Sequence, residues 1–225
     1  MGAQLDHNQA IISTIDLGLA DYREVYLAQR DLVCKRRANR ITDQLILVEH
    51  EAVYTFGRKS DTEASEGLPN SVQIERGGEA TYHNPGQLVC YPILQLSPME
   101  RDIPGYLRNL EEVIIRVLAD FGVEAGRKPK ATGVWVEGLT KKIASIGVAV
   151  SGWVTYHGTA LNVYNDLKGF SQIQPCGFSS EVMTSMETCL GEKCPTMNQV
   201  KDTYLRRFGE VFDRFIEPMI RKETC

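Results

Sequence analysis

The chain has 225 residues, 43% of them hydrophobic and 24% charged, and a formal net charge of −4. That balance suits one ordinary globular domain spanning residues 1–225, leaves no stretch long and apolar enough for a membrane span, and argues against nucleic acid as a principal partner. The start, Met1-Gly2-Ala3-Gln4-Leu5-Asp6-His7, lacks the basic region and apolar run of a secretory signal, and Asp6 stands where a myristoylation site needs a hydroxyl. The sequence is therefore read as cytoplasmic. Its six cysteines are then expected to stay reduced, with Cys189-x4-Cys194 as two thiols, and its four scattered histidines suggest no metal site.

In chain order, residues 11–16 read as a strand. Residues 21–39 read as a helix in which Tyr22, Val25, Tyr26, Gln29, Leu32 and Val33 keep close to helical spacing. Lys35, Arg36 and Arg37 crowd its last turn, where cations complement the helix dipole. Residues 44–50 form a nearly continuous apolar strand ending in Glu49-His50, and residues 53–56 a second one leading into Gly57-Arg58. His50 is read as structural, since backbone groups readily satisfy a lone histidine. Residues 60–71 read as a mobile polar loop.

The next stretch, Glu75-Arg76-Gly77-Gly78-Glu79-Ala80-Thr81-Tyr82-His83-Asn84-Pro85-Gly86-Gln87, is richer in chemistry. Paired glycines let backbone N–H groups approach a ligand, and Asn84-Pro85-Gly86 forms a tight turn that aims His83 and Gln87. The glycine spacing matches neither a dinucleotide fingerprint nor a P-loop, and no lysine follows it. A core-facing helix is expected from an Asp102 cap and Pro104 to a closing Gly122, then a strand over residues 133–136. Thr196-x-x-Gln199 has capping-box form. It opens a final helix whose stripe is Val200, Tyr204, Leu205, Phe208, Val211, Phe212 and Phe215.

Residues 142–176 place a strand, a histidine turn and a lone cysteine in quick succession. Alternation puts Lys142 on one strand face with Ala144, Ile146, Val148 and Val150, all apolar. Desolvation disfavours an ammonium, so a lysine in such a place is a candidate general base; the bland alternative is an edge-strand surface residue. Two apolar runs hinge at His157-Gly158. Cys176, between Pro175 and Gly177, belongs to a turn rather than a packed strand, and a nearby cation would make its thiolate a nucleophile. Ser179-Ser180-Glu181 reads as a helix start.

Arg-Gly-Gly-x-x-Thr-Tyr-His-x-Pro-Gly-Gln, then Lys-Ile-Ala-x-Ile-Gly, His-Gly-x-Ala-Leu-Asn and Pro-Cys-Gly, in this order between Glu49 and Gly177, resemble the motifs of the lipoyl (octanoyl) transferase family. The resemblance implies an α/β domain of mixed, largely antiparallel sheets flanked by helices, shared with biotin and lipoate ligases. It implies transfer of octanoyl from octanoyl-acyl carrier protein to a lysine of apo lipoyl domains, those of 2-oxo acid dehydrogenase complexes and of glycine cleavage H protein, with no cofactor. By the same likeness the acyl-thioester cysteine falls on Cys176 and the lysine that favours its thiolate on Lys142. The acyl chain is expected along Arg76, Gly77, Gly78, Glu79, Ala80, Thr81, Tyr82 and His83, along Ser145, Ile146 and Gly147, and along Gly158, Thr159 and Ala160. His83 and His157 are expected to shape the pocket. Backbone N–H groups of residues 145–147 or 158–160 are candidates for holding the oxyanion. One departure is Asn84, where most members have Gly; Asn tolerates positive φ, so the turn is expected to survive.

Both implied macromolecular substrates are usually acidic while this chain is net negative, so docking is expected to use local basic clusters, Arg58-Lys59 and Arg127-Lys128 with Lys130. Two other readings share the fold. One is an ATP-dependent lipoate ligase, and the other a module that binds lipoyl or biotin carriers without chemistry.

Overall fold

A run such as Leu45-Ile46-Leu47-Val48 is buried only if both faces of its strand are covered, and the fold is organised to cover them. The computed structural model describes residues 10–60, 67–136, 138, 140–173 and 180–218. The elements begin β1 (Ala10–Ala20), α1 (Tyr22–Arg37), β2 (Asp43–His50), β3 (Val53–Phe56), β4 (Ser71–Gln73), β5 (Ala80–His83) and β6 (Gln87–Ile93). They continue α2 (Ile103–Asp120), β7 (Ala125–Lys128), β8 (Ala131–Val136), β9 (Lys141–Ser151), β10 (Val154–Asn162), α3 (Met186–Leu190), α4 (Met197–Phe212) and β11 (Arg214–Ile216).

The larger sheet has eight strands in the order β11-β1-β2-β6-β10-β9-β8-β7; β1 is parallel to β11 and β2, and every other pairing is antiparallel. A three-stranded sheet, β4-β3-β5, lies beside it. The expected mixed, largely antiparallel architecture is what the chain adopts. Alternation sorts the central strands: Leu45 and Leu47 of β2 and Leu88 and Cys90 of β6 pack with α2 and α4, while Ile46, Val48, Val89 and Tyr91 pack with Tyr22 and Val25 of α1.

The termini of the elements follow local chemistry. Asp21 caps α1 by accepting from the N–H groups of Arg23 and Glu24, and Lys35, Arg36 and Arg37 fill its last turn. Lys35 pairs with Asp31 and Arg36 with Asp43, so this cluster is engaged at the helix end. The Thr196 capping box forms, with Thr196 N donating to Gln199 Oε1 at 2.8 Å. Gly122 follows α2 at φ 78, as a C-terminal glycine should.

Three expectations need correction. Asp102 occupies the N-cap position of α2 but makes no capping hydrogen bond from its side chain. The first strand runs on to Ala20, past a register shift between Asp16 and Leu19 that Gly18, at φ 61, accommodates. Phe215 leaves the last helix: α4 stops at Phe212, Asp213 turns left-handed at φ 50, and Phe215 pairs with Ile11 in the parallel β11–β1 ladder.

Candidate active site

β9 lies between β8 and β10, so its lysine is no edge residue, and Lys142 is 0% exposed. It sits opposite Trp135 of β8, with Nζ 5.7 Å from the indole centroid. Ala144, Ile146 and Val148 join the α2–α4 core as alternation requires. Ile143 joins it too, because the β8–β9 register slips between Val134 and Trp135 and strict alternation ends there. The slip also sets Gly133, at φ 126, beneath the lysine stem: a Cβ on Gly133 would lie 2.7 Å from Lys142 Cε and 2.5 Å from the Ala144 carbonyl oxygen.

Gly133 is itself anchored. Its N–H donates to Glu111 Oε1 at 3.1 Å. Glu111 is 1% exposed, and its other oxygen is 2.5 Å from Arg108 and 3.2 Å from Arg127. Arg127 also reaches Glu112 at 2.7 Å and the Arg108 carbonyl at 3.0 Å. The guanidinium expected to dock a partner is thus tied into the scaffold behind Lys142. Lys128 lies over Trp135, 4.4 Å from the ring centroid.

On the α1 side of the large sheet a cavity is lined by Arg76 to Gly78, Thr81, His83, Ser145 to Gly147 and Gly158 to Ala160, three stretches far apart in sequence. Tyr22, Val89, Tyr91 and His157 complete the lining. Glu79, Ala80 and Tyr82 do not line it: Ala80 and Tyr82 pack with Tyr54, Phe56 and Phe170, and Glu79 faces a neighbouring groove. Tyr22 was legible only as a residue at helical spacing, and Val89 and Tyr91 carried no site signal, since spacing gives burial and not which void a side chain borders.

The glycine loop is held by close backbone approach. Gly77 N donates to the Val148 carbonyl at 2.9 Å, and a Cβ on Gly147 would come within 2.9 Å of the Gly77 oxygen. Arg76 clamps the loop from below, donating to the Thr55 carbonyl at 2.7 Å and the Glu79 carbonyl at 2.6 Å. Asn84 does not adopt positive φ; Gly86 does, at 88°, and Asn84 instead donates to the Asp166 carbonyl and accepts from Asn165. The turn is stitched to the chain beyond β10 by an amide that glycine lacks.

Two buried histidines, His83 and His157, line this cavity, and a third, His50, meets His83 edge-on; desolvation holds all three neutral. Burial lowers His50 to about 4 and His83 and His157 each to about 3. His50 Nδ1 donates to the Ala20 carbonyl, which leaves Nε2 to accept from Tyr91 Oη at 2.8 Å. His83 contacts Gln87 Oε1 at 2.7 Å; Gln87 reaches Asn162, Asn162 reaches the Thr184 carbonyl, and Thr184 N donates to the Lys142 carbonyl at 3.0 Å. A hydrogen-bonded frame therefore runs from the cavity wall to the lysine backbone. His157, at φ 56, stacks on Tyr26, and among the described residues neither of its ring nitrogens has a hydrogen-bond partner.

Glu75 is a site-shaping residue that pattern reasoning missed. It accepts from Tyr26 at 2.7 Å, Tyr156 at 2.8 Å and Arg30 at 2.7 Å. Burial pushes its carboxyl up, but the two phenols and the surrounding donors outweigh that and bring it to about 2. Cys176, with Pro175 and Gly177, lies outside the described residues. Among those described, no three His, Cys, Asp or Glu side chains group to hold a metal ion.

This sheet, its flanking helices and a cavity closed by a glycine loop define a catalytic domain of the lipoate and biotin protein ligase type. The putative lipoate protein ligase Ta0514 from T. acidophilum superposes with a TM-score of 0.73 at 18% identity, over 94% of this chain and 89% of that one. The R40G mutant of biotin protein ligase from Aquifex aeolicus does so with a TM-score of 0.51 at 12% identity, over 89% and 70%. Residues 21–209 match the family described as the lipoyl protein ligase A/B catalytic domain. Relatives named octanoyltransferase include one from Gloeobacter violaceus, 45% identical over 208 residues and 91% of each chain. Another, from Rubrobacter xylanophilus, is 47% identical over 203 residues, 85% of this chain and 90% of the relative. The chain belongs to this family, in its lipoyl (octanoyl) transferase branch, and is an acyltransferase.

Proposed function

We infer that the protein transfers octanoyl from octanoyl-acyl carrier protein to a lysine of an apo lipoyl domain through a Cys176 thioester, with Lys142 as its proton-transfer partner. The observation that carries this reading is the fully buried Lys142, seated on Gly133 three residues before Ser145, where β9 begins to line the cavity. Between the paired positions Ser145–Ala160 and Val148–His157 the β9–β10 ladder advances three residues, about 10 Å, a span suited to a medium-length acyl chain.

In the first half-reaction the Cys176 thiolate attacks the thioester carbonyl, a new carbon–sulfur bond replaces the carrier's, and the leaving thiolate takes a proton from Lys142. In the second, neutral Lys142 accepts one proton from the acceptor ammonium and the amine attacks the acyl-enzyme. The Cys176 thiolate leaves, and the second amine proton passes to water as the amide forms. The oxyanion is best served by residues 145–147. β8 pairs with β9 only as far as Ala144, so the β8-facing backbone edge beyond it is outside that ladder, whereas Thr159 and Ala160 are paired on both sides.

Incubation with octanoyl-acyl carrier protein followed by peptide mapping tests the reading. A mass increment on Cys176 alone, discharged by an apo lipoyl domain, is expected. Label on Cys90 or Cys189 with Cys176 unmodified would sink the assignment, and ATP-dependent attachment of lipoate would favour a ligase.

A further inference from the structure

A second depression adjoins the acyl cavity. It opens where β8 and β9 part company: their ladder ends at Val134–Ala144, and residues 130–132 and 146–148 diverge to form its walls. Its first residues are therefore next to Gly133, on which Lys142 rests. The floor is apolar, with Ile103 and Leu107 of α2 and Val148 of β9. Three cations, Arg58, Lys59 and Lys130, stand around it, all exposed.

These cations are fixed in place by backbone rather than by charge partners. Arg58 N donates to the Arg76 carbonyl at 3.0 Å and Lys59 N to the Gly78 carbonyl at 3.1 Å, so both are clamped to the glycine loop. Lys130 sits at the tip of the β7–β8 turn at φ 63. Among the described residues none of the three forms an ion pair, whereas Arg127 and Arg36 do. Glu79 is the one acid in the lining, so the groove carries three positive charges against one negative.

A thioester donor has two arms. The acyl arm has its cavity; the thiol arm must leave from the reacting carbon in another direction. We propose that this groove seats the thiol arm of the donor, a flexible amide-bearing chain ending in a phosphodiester, with the arm over Ile103, Leu107 and Val148 and the phosphate against Arg58, Lys59 and Lys130. The assignment rests on the acyl-transfer reading above. An apolar trough with cations at its rim matches such an arm, since Arg holds phosphate through its planar fork and Lys as a point charge.

The test compares binding of phosphopantetheine and of pantetheine, which lacks the phosphate, to the wild-type protein and to a triple variant, Arg58→Glu, Lys59→Glu and Lys130→Glu. Titration calorimetry should show phosphopantetheine binding at least about tenfold more tightly than pantetheine to wild type, with the difference abolished in the variant. In turnover, the variant should raise KM for octanoyl-phosphopantetheine and octanoyl-carrier donors by a similar factor and leave octanoyl-pantetheine within about twofold.

Equal affinity of the two thiols for wild type overturns the proposal. So does a loss confined to the carrier-protein donor, which would place these cations against the carrier's own surface, and so does tighter binding of ATP than of phosphopantetheine. Should wild type move octanoyl from no thioester, the functional reading fails, and the two-thiol comparison still decides the groove.

Discussion

Lys142 and Gly133 occupy each other's space: the lysine Cε lies only 2.7 Å from where a Cβ on Gly133 would be. The Ala144 carbonyl, at 2.5 Å from the same point, blocks retreat, and Gly133 holds φ 126, a conformation that L side chains rarely adopt. Gly133→Ala should therefore destabilise the fold by about 1–3 kcal/mol through strain and overpacking. Acyl transfer should fall further than this stability loss explains, because the lysine is displaced. Urea unfolding and single-turnover transfer on the same preparation measure the two. A variant with wild-type kcat would show that Lys142 needs no such seat.

Lys142→Arg keeps a positive charge but cannot give up a proton at any working pH. Cys176 should still take the acyl group, whereas acceptor deprotonation should fail and turnover drop by about 10²–10⁴-fold. Quenched time courses should show acyl-enzyme accumulating. Normal turnover by the arginine variant would leave Lys142 an electrostatic role only.

Glu111 acts through Gly133. It is a positioning residue whose buried carboxylate holds the β8 backbone under the lysine while Arg108 and Arg127 compensate its charge. Glu111→Ala leaves the buried Gly133 N–H without its acceptor, while the partly exposed Arg108 and Arg127 can turn to water, so the cost should be roughly 1–3 kcal/mol. Glu111→Gln keeps an acceptor for Gly133 N and should recover most of kcat. The readout is the split between kcat and KM: kcat should fall with little change in KM for either substrate. A KM effect of equal size would place Glu111 in substrate binding instead.

Strand and helix identity was legible wherever spacing was regular, as in Tyr22, Val25, Gln29 and Val33 of α1, because periodicity follows from which face must be dry. The burial of Lys142 was legible from its apolar neighbours. Less accessible was the reason a lysine fits there, since the β8–β9 register slip breaks the local alternation without a spacing signal and the Glu111 anchor joins residues 22 positions apart. Charge was the poorest guide. Arg127 and Lys130 look alike in sequence, yet one is consumed by Glu111 and Glu112 and the other stands at the rim of a groove.

The neutral histidines tie stability to pH. His50 at about 4 and His83 and His157 at about 3 lie below the ordinary histidine value of about 6.5, which the unfolded chain recovers. Above pH 6.5 both states are neutral and the full stability is present. As pH falls below that, the unfolded state binds protons that the folded state refuses, so stability is lost progressively until the folded values are reached. Each histidine adds a slope of up to ~1.4 kcal/mol per pH unit between about pH 6 and pH 4. Denaturant unfolding at pH 7, 6 and 5 should show this fall before Glu75, at about 2, begins to contribute. His157→Asn tests the origin of the slope, because Asn tolerates the φ of 56 while removing one titrating ring. It should lower stability at pH 7 through the lost stacking on Tyr26, yet flatten the slope by about a third. An unchanged slope in that variant, or stability constant from pH 7 to 5 in the wild type, would mean that the imidazoles take up protons in the folded protein.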